Sequence, residues 1–536
     1  MRFTQRFLMT AVLAMAATAA YAADGGLQMA DLAPAQTSAL VEIENPAGLR
    51  QQLLESPFWQ ALQKTEAARQ WKASEKYAEG QRRLEELLER LDMSKEEALR
   101  RYLGGKAALV LLPSDNPKKP YGVFLTEATN ADAERFVKAV GGQEVGRHRD
   151  VTIWEVQKEQ RVDRMAFAGG VLMLAQPRAD ELHQVLDVAV GGGASLGTEG
   201  HFAKAVDGLP GGWRVRAYAA KIPPRQSPGA VALYPEGNDR VHAEWRIVSG
   251  AGDVGPNRPV ALDGPACLPD SAVAAVTSCF HPEAIWEKVQ QKLAERADGE
   301  ERIRHAKMFV RGWFPGHPMD GIVAGFGPEA AGAIVKGEDG GAPGLVGMTR
   351  ITASGRPVAH AFKDGLAAKA MILGALGQKG EKPVIINVRE EEYGNASMLI
   401  IEAPDALTKI LGDWAKDVAL TVAVGEEWLI VGTTPAGVKR TIDTAAGKGK
   451  SLADAMKAAG ERVPEEPVTR WGVVRPAEGA EIVLSWAEKL LGRERVEEAK
   501  RLTNLAELMD LVKRFLWQRT DEPEMIHGTA DLQAVE

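Results

Sequence analysis

The same series of short motifs occurs twice along this chain, and a sequence that repeats itself is expected to fold as two similar bodies. "LAPAQTSALVEIENPAGLRQQL" begins at Leu32 and "LPDSAVAAVTSCFHPEAIWEKV" begins at Leu268. Laid together without gaps, Leu32 falls on Leu268 and Pro46 on Pro282, with an apolar run before each proline. Each copy reads as a strand, a turn carrying proline, then an amphipathic helix. A second pair of blocks aligns residues 171–196 with 427–452, again without gaps, when Val171 is set on Glu427. Asp187, Gly191, Gly193, Ser195 and Leu196 then coincide with Asp443, Gly447, Gly449, Ser451 and Leu452. Trp213 is matched with Trp471, and His242 in "DRVHAEW" with His527 in "EMIHGTA". Four blocks in one order predict a tandem duplication.

The blocks place the boundaries. The first α+β repeat domain is read at 32–248 and the second at 267–536, joined by the Gly- and Pro-rich stretch 249–266 as a linker. Within each copy, apolar and alternating runs such as "KAALVLLP", "VTIWEVQ" and "RVHAEWRIV" are strands separated by short connections. Connections that short demand antiparallel pairing. Each domain is therefore expected to be a largely antiparallel sheet with packed helices, an α+β fold. The second copy carries an extra segment, 482–518, read as helical from Leu502, Leu505, Met509, Val512 and Leu516. Its apolar residues, including Trp486, Leu490 and Phe515, predict packing within their own domain.

"GKGKSL" (447–452) invites a phosphate-loop reading, but that loop needs a glycine where Thr444 stands and a strand where a helical pattern runs. The first copy has "GGGASL" at the same place, without lysine. One structural reading covers both. Gly191 and Gly447 end a helix in the left-handed conformation. Ser195 and Ser451 begin the next one as N-caps, with Ser451 and Asp454 spaced as a capping box. These four residues form a structural joint.

At the N-terminus, Arg2 and Arg6 precede the apolar run Phe7–Ala19 and the small-x-small Ala20-Tyr21-Ala22. That pattern predicts a signal peptide at 1–22 and an exported protein, periplasmic or extracellular. No later stretch is apolar and long enough to span a bilayer, so no transmembrane segment is expected after leader removal. The formal charge of −8 becomes about −10 when Arg2 and Arg6 leave. Acidic and basic residues are interspersed, which excludes a basic nucleic-acid footprint. Cys267 and Cys279 flank an extended run of twelve steps, about 3.3 Å each, too far for a disulfide. Both are expected free, and Cys279 buried.

No catalytic, cofactor or metal residue is assigned. The nine histidines show no His-Glu-x-x-His spacing, and no Gly-x-Ser-x-Gly elbow occurs. His242 and His527 are expected to be structural residues on strands. The repeated strand, helix and Asp-x-x-x-Gly-x-Gly-x-Ser-Leu joint resembles a family of exported bacterial proteins carrying a domain of unknown function. Thr198-Glu199-Gly200-His201-Phe202 fits that family's phenylalanine after the joint, whereas the second copy has Ala458 there. The resemblance implies a fold and supplies no catalytic residues. The expected function is a non-enzymatic envelope protein that binds an envelope protein partner or an apolar small molecule. The alternative is an envelope hydrolase with a site assembled from distant residues.

Overall fold

A computed structural model describes residues 28–113, 121–158, 161–175, 179–222, 226–249, 258–296, 298–338, 341–377, 385–403, 408, 412–490, 505–522 and 524–535. The expected signal peptide lies outside these residues. The chain divides into a first unit, Met1–Asp253 with Pro523–Glu536, and a second, Val254–Glu522.

The first unit opens with β1 (Ala39–Glu44), whose alternating apolar residues suit a half-buried strand. Asn45 ends it in the left-handed region and caps α1 (Pro46–Glu55) by accepting from the Gly48 N–H at 2.9 Å. Serines 74 and 94 cap α2 (Glu75–Leu91) and α3 (Lys95–Leu103) in the same way. There follow β2 (Lys106–Leu112), β3 (Tyr121–Glu127), α4 (Asn130–Ala139), β4 (Gln143–His148), β5 (Val151–Lys158), β6 (Arg161–Ala168) and β7 (Val171–Ala175). Then come α5 (Ala179–Ala189), α6 (Gly200–Val206), β8 (Val215–Ile222), β9 (Ser227–Glu236) and β10 (Arg240–Val248). A distant strand, Met525–Ala534, pairs with β10 along its whole length. The antiparallel order is β4-β5-β6-β7-β3-β2-β1-β8-β9-β10, with that strand beyond β10. One face carries Leu40, Val110, Leu125 and Met173 into a core closed by Leu182, Leu186 and Phe202 of α5 and α6.

The second unit contains β11 (Ala272–Cys279), α7 (Pro282–Ala294), α8 (Gly299–Arg311), β12 (Phe326–Val335), β13 (Gly344–Ile351) and α9 (Arg356–Gly377). It continues with β14 (Asn387–Tyr393), β15 (Ala396–Glu402), β16 (Leu420–Val424), β17 (Trp428–Gly432), α10 (Pro435–Ala445) and α11 (Leu452–Ala458). Last are β18 (Arg470–Val474), α12 (Pro476–Leu490) and β19 (Val512–Asp521); the distant strand at Met525–Ala534 is β20. The order is β14-β15-β16-β17-β13-β12-β11-β18-β19, all antiparallel. It repeats the first unit's order strand for strand from β4 to β9. The inner face buries Val346, Met348, Ile430 and Trp471 against Val438, Ile442, Leu452 and Met456 of α10 and α11. On the outer face, α9 packs Ala359 and Ala367 against Leu399, Val422, Val424 and Leu429.

Three expectations need correction. The second domain does not run from 267 to 536, because β20 completes the first unit's sheet. Residues 258–266 are not a free linker. Val260 bridges Val468, and the Asp263 and Gly264 N–H groups donate to the Glu329 carboxylate at 3.1 and 2.6 Å. Glu329 is 1 % exposed, and a buried carboxylate left without such donors costs several kcal/mol even after the protein relaxes around it. The helical reading of 482–518 holds for the part of it within α12 and for 505–509, but Val512 onward is β19. Residues 491–504 lie outside the described set. An i, i+4 pair such as Val512 and Leu516 satisfies a period of 2 as well as one of 3.6, and Arg514 and Leu516 turn inward while Lys513 and Phe515 face out.

Candidate functional site

Part of the outer face of the second unit's sheet is left uncovered by α9. There the strands form an apolar groove of about 590 Å³, lined by residues of β11, β12, β13, β16, β17, β18 and β19. Alternation along each strand sends one set of side chains into the inner core and the other into the groove. Val276 is 45 % exposed, Leu345 48 % and Leu420 41 %, while their strand neighbours are buried. A volume of this size lies within the ~300–1,000 Å³ typical of small-molecule pockets.

The groove exists because two paired positions carry no side chain. Gly332 on β12 lies opposite Gly347 on β13, and the row across the sheet reads Gly472, Val276, Gly332, Gly347, Val431. The row in the same sheet position of the first unit reads Ala217, Val41, Leu109, Phe124, Leu174. Leu109 and Phe124 fill the space that Gly332 and Gly347 leave empty.

Internal packing does not require these two glycines. A Cβ at Gly332 would meet only the Val346 carbonyl at 3.5 Å, and one at Gly347 only the Val431 carbonyl at 4.0 Å. Both are ordinary contacts, and neither residue has a positive φ. Gly472 differs: a Cβ there would come within 2.5 Å of the Trp517 indole, which lies over it and walls the groove. Glycine inside a strand weakens it, and it often marks a place where something else approaches the backbone closely.

The joint residues lie away from this groove, on the inner, helix-covered side. Gly191 (φ 79°) and Gly447 (φ 71°) end α5 and α10 in the left-handed region. The following N–H groups of Gly192 and Lys448 donate back to the Asp187 and Asp443 carbonyls at 2.7 and 2.8 Å. Ser451 caps α11 in a full capping box: its hydroxyl accepts from the Asp454 N–H at 3.0 Å, and its own N–H reaches the Asp454 carboxylate at 3.4 Å. Ser195 departs from the expectation. It precedes a single 3-10 turn, Leu196–Thr198, and its side chain caps nothing; α6 starts later, after Glu199. Short bridges tie Pro34 to Ser195 and Pro269 to Ser451. The Asp187 carboxylate meets His148 at 2.7 Å, and the Asp443 carboxylate accepts from the Tyr393 hydroxyl at 2.7 Å. Each joint is thus tied to a β-hairpin end.

Cys267 and Cys279 are buried free thiols, and burial pushes them up to about 12 and about 11. His242 holds carboxylates on both ring nitrogens, Asp531 at 2.7 Å and Glu244 at 3.3 Å. Among the described residues no group of three His, Cys, Asp or Glu side chains is placed to hold a metal ion. No helix among them is long and apolar enough to cross a membrane.

No protein-family model, curated protein or solved structure matches this chain. The groove was not read from the sequence. The signal available for it was a glycine inside each of two strands, at Gly332 and Gly347.

Proposed function

We propose that this chain is an exported envelope protein, built by tandem duplication, whose second copy binds an apolar ligand in the groove over Gly332 and Gly347. The leader pattern at 1–22 supports export. The shared strand order of the two units and their matching joints support duplication. The observation that carries the binding role is the exchange of Leu109 and Phe124 for Gly332 and Gly347 at one sheet position. The lining is aliphatic apart from Thr433 and Trp517, so it fits a hydrocarbon or aromatic surface and offers little to a charged one. That lining supports reading the protein as a binder of apolar ligands.

The test transplants the first unit's pair into the second. Gly332→Leu with Gly347→Phe fills the groove with side chains that strands favour. Covering roughly 100 Å² of ligand contact is worth about 2.5 kcal/mol, so affinity for the apolar probe N-phenyl-1-naphthylamine is expected to fall more than about tenfold. The circular dichroism melting temperature should not fall, because glycine inside a strand weakens it. Wild-type protein that fails to bind the probe, or a folded double variant that binds it equally well, refutes the reading.

A further inference from the structure

The five most exposed large apolar side chains among the described residues do not line the groove. They are Phe309 (71 %), Met308 and Met371 (61 % each), Leu373 (60 %) and Ile372 (59 %). Two belong to the end of α8 and three to the end of α9. These ends meet: the Lys369 ammonium donates to the Gly312 carbonyl and lies 4.4 Å from the centre of the Trp313 ring. Trp313 in turn is edge-on to Phe309, with ring centres 6.5 Å apart. Ile372 and Leu373 are the i+3 and i+4 neighbours of Lys369, the next turn on the same helix face.

The charge around this patch runs against that of the chain. The formal net charge is −8, yet Arg302–Met319 contains Arg302, Arg304, Lys307 and Arg311 and no Asp or Glu. Arg302 is paired with Asp298 at 2.6 Å. Among the described residues, no ion pair joins Arg304, Lys307 or Arg311 to a carboxylate.

The form of the patch selects its partner. Met371, Ile372 and Leu373 are consecutive, so at ~100° per residue their exposure covers about 200° of the helix circumference. A protein groove receives one stripe of a helix, whereas acyl chains and headgroups surround an inserted end. Cations flanking apolar tips match the phosphates of anionic lipid. We infer that the paired ends of α8 and α9 dock this protein on an anionic lipid bilayer, with Phe309, Met308 and Leu373 inserted at the headgroup boundary and Arg304, Lys307 and Arg311 on the phosphates. This binding is independent of the groove.

Flotation of the full chain with vesicles tests the docking. Equimolar phosphatidylglycerol and phosphatidylethanolamine should carry the protein up, and pure phosphatidylcholine or high salt should reduce binding about tenfold or more. Phe309→Glu with Leu373→Glu should abolish flotation while melting and naphthylamine binding stay at wild-type values. Lys307→Glu with Arg311→Glu should weaken flotation and flatten its salt dependence. Wild-type protein that stays in the lipid-free fractions when phosphatidylglycerol vesicles are present, or glutamate variants that float normally, overturns the inference. So does sedimentation showing that wild-type chains self-associate through this patch and the glutamate variants do not.

Discussion

His242 Nδ1 lies 2.7 Å from the Asp531 carboxylate, joining β10 to a strand 289 residues further along the chain. The hydrogen bond to Asp531 is the main cause that holds the imidazole above its ordinary 6.5, against an opposing effect of burial. A raised folded-state value means that the contribution is complete below about 6.5 and is lost as pH rises through the higher folded value. A hydrogen bond to a charged partner contributes about 1.5–3 kcal/mol. Wild type should therefore exceed His242→Asn in stability by that order near pH 6, with the gap narrowing toward pH 9. Urea unfolding across this range measures it, and a gap that widens with pH would remove the charged imidazole from the account.

The two serines of the joints should behave differently despite matching in sequence. Ser451→Ala removes an N-cap and half of a capping box, at a cost of about 0.5–2 kcal/mol. Ser195→Ala removes no cap bond and should change stability by a few tenths at most. Lys450→Ala should be silent in thermal melting and in nucleotide binding. Equal losses at Ser195 and Ser451 would show that the capping geometry is not what matters.

Both cysteines should titrate as free thiols after unfolding without reductant. In the native state they should react far more slowly than an exposed thiol, because burial keeps Cys267 and Cys279 protonated at neutral pH. Ellman's reagent under native and denaturing conditions separates the two states. A linked 267–279 peptide in mass spectrometry would contradict the extended path of β11.

The fold class, the antiparallel pairing and three of the four joint residues, Gly191, Gly447 and Ser451, were legible in the sequence, because alternation, caps and glycine turns are local signals. The ungapped matches between the two copies slip the strands by one residue against their places in the sheets. The ungapped match sets Leu40, 1 % exposed, on Val276, 45 % exposed. In the sheets, Leu40 shares its core-facing role with Ala275, since Asn45 alone separates β1 from its helix while Phe280 and His281 separate β11 from α7. The same slip set Met173 on Leu429 where Ile430 faces the inner core; three residues separate β7 from α5 and two separate β17 from α10. Trp213 precedes β8, whereas Trp471 lies inside β18, so that match was one of residue type and not of position. A side-chain period of two turns each one-residue error into the opposite face. The groove was hidden by this error, because it is defined only by what faces outward.

The pairing of β10 with β20 also sets a schedule. Everything from Val254 to Glu522 must be synthesised before the outer neighbour of β10 exists. Until then Arg240–Val248 is an unpaired edge, open to the wrong strand. The first part of this protein to be made is the last to be finished.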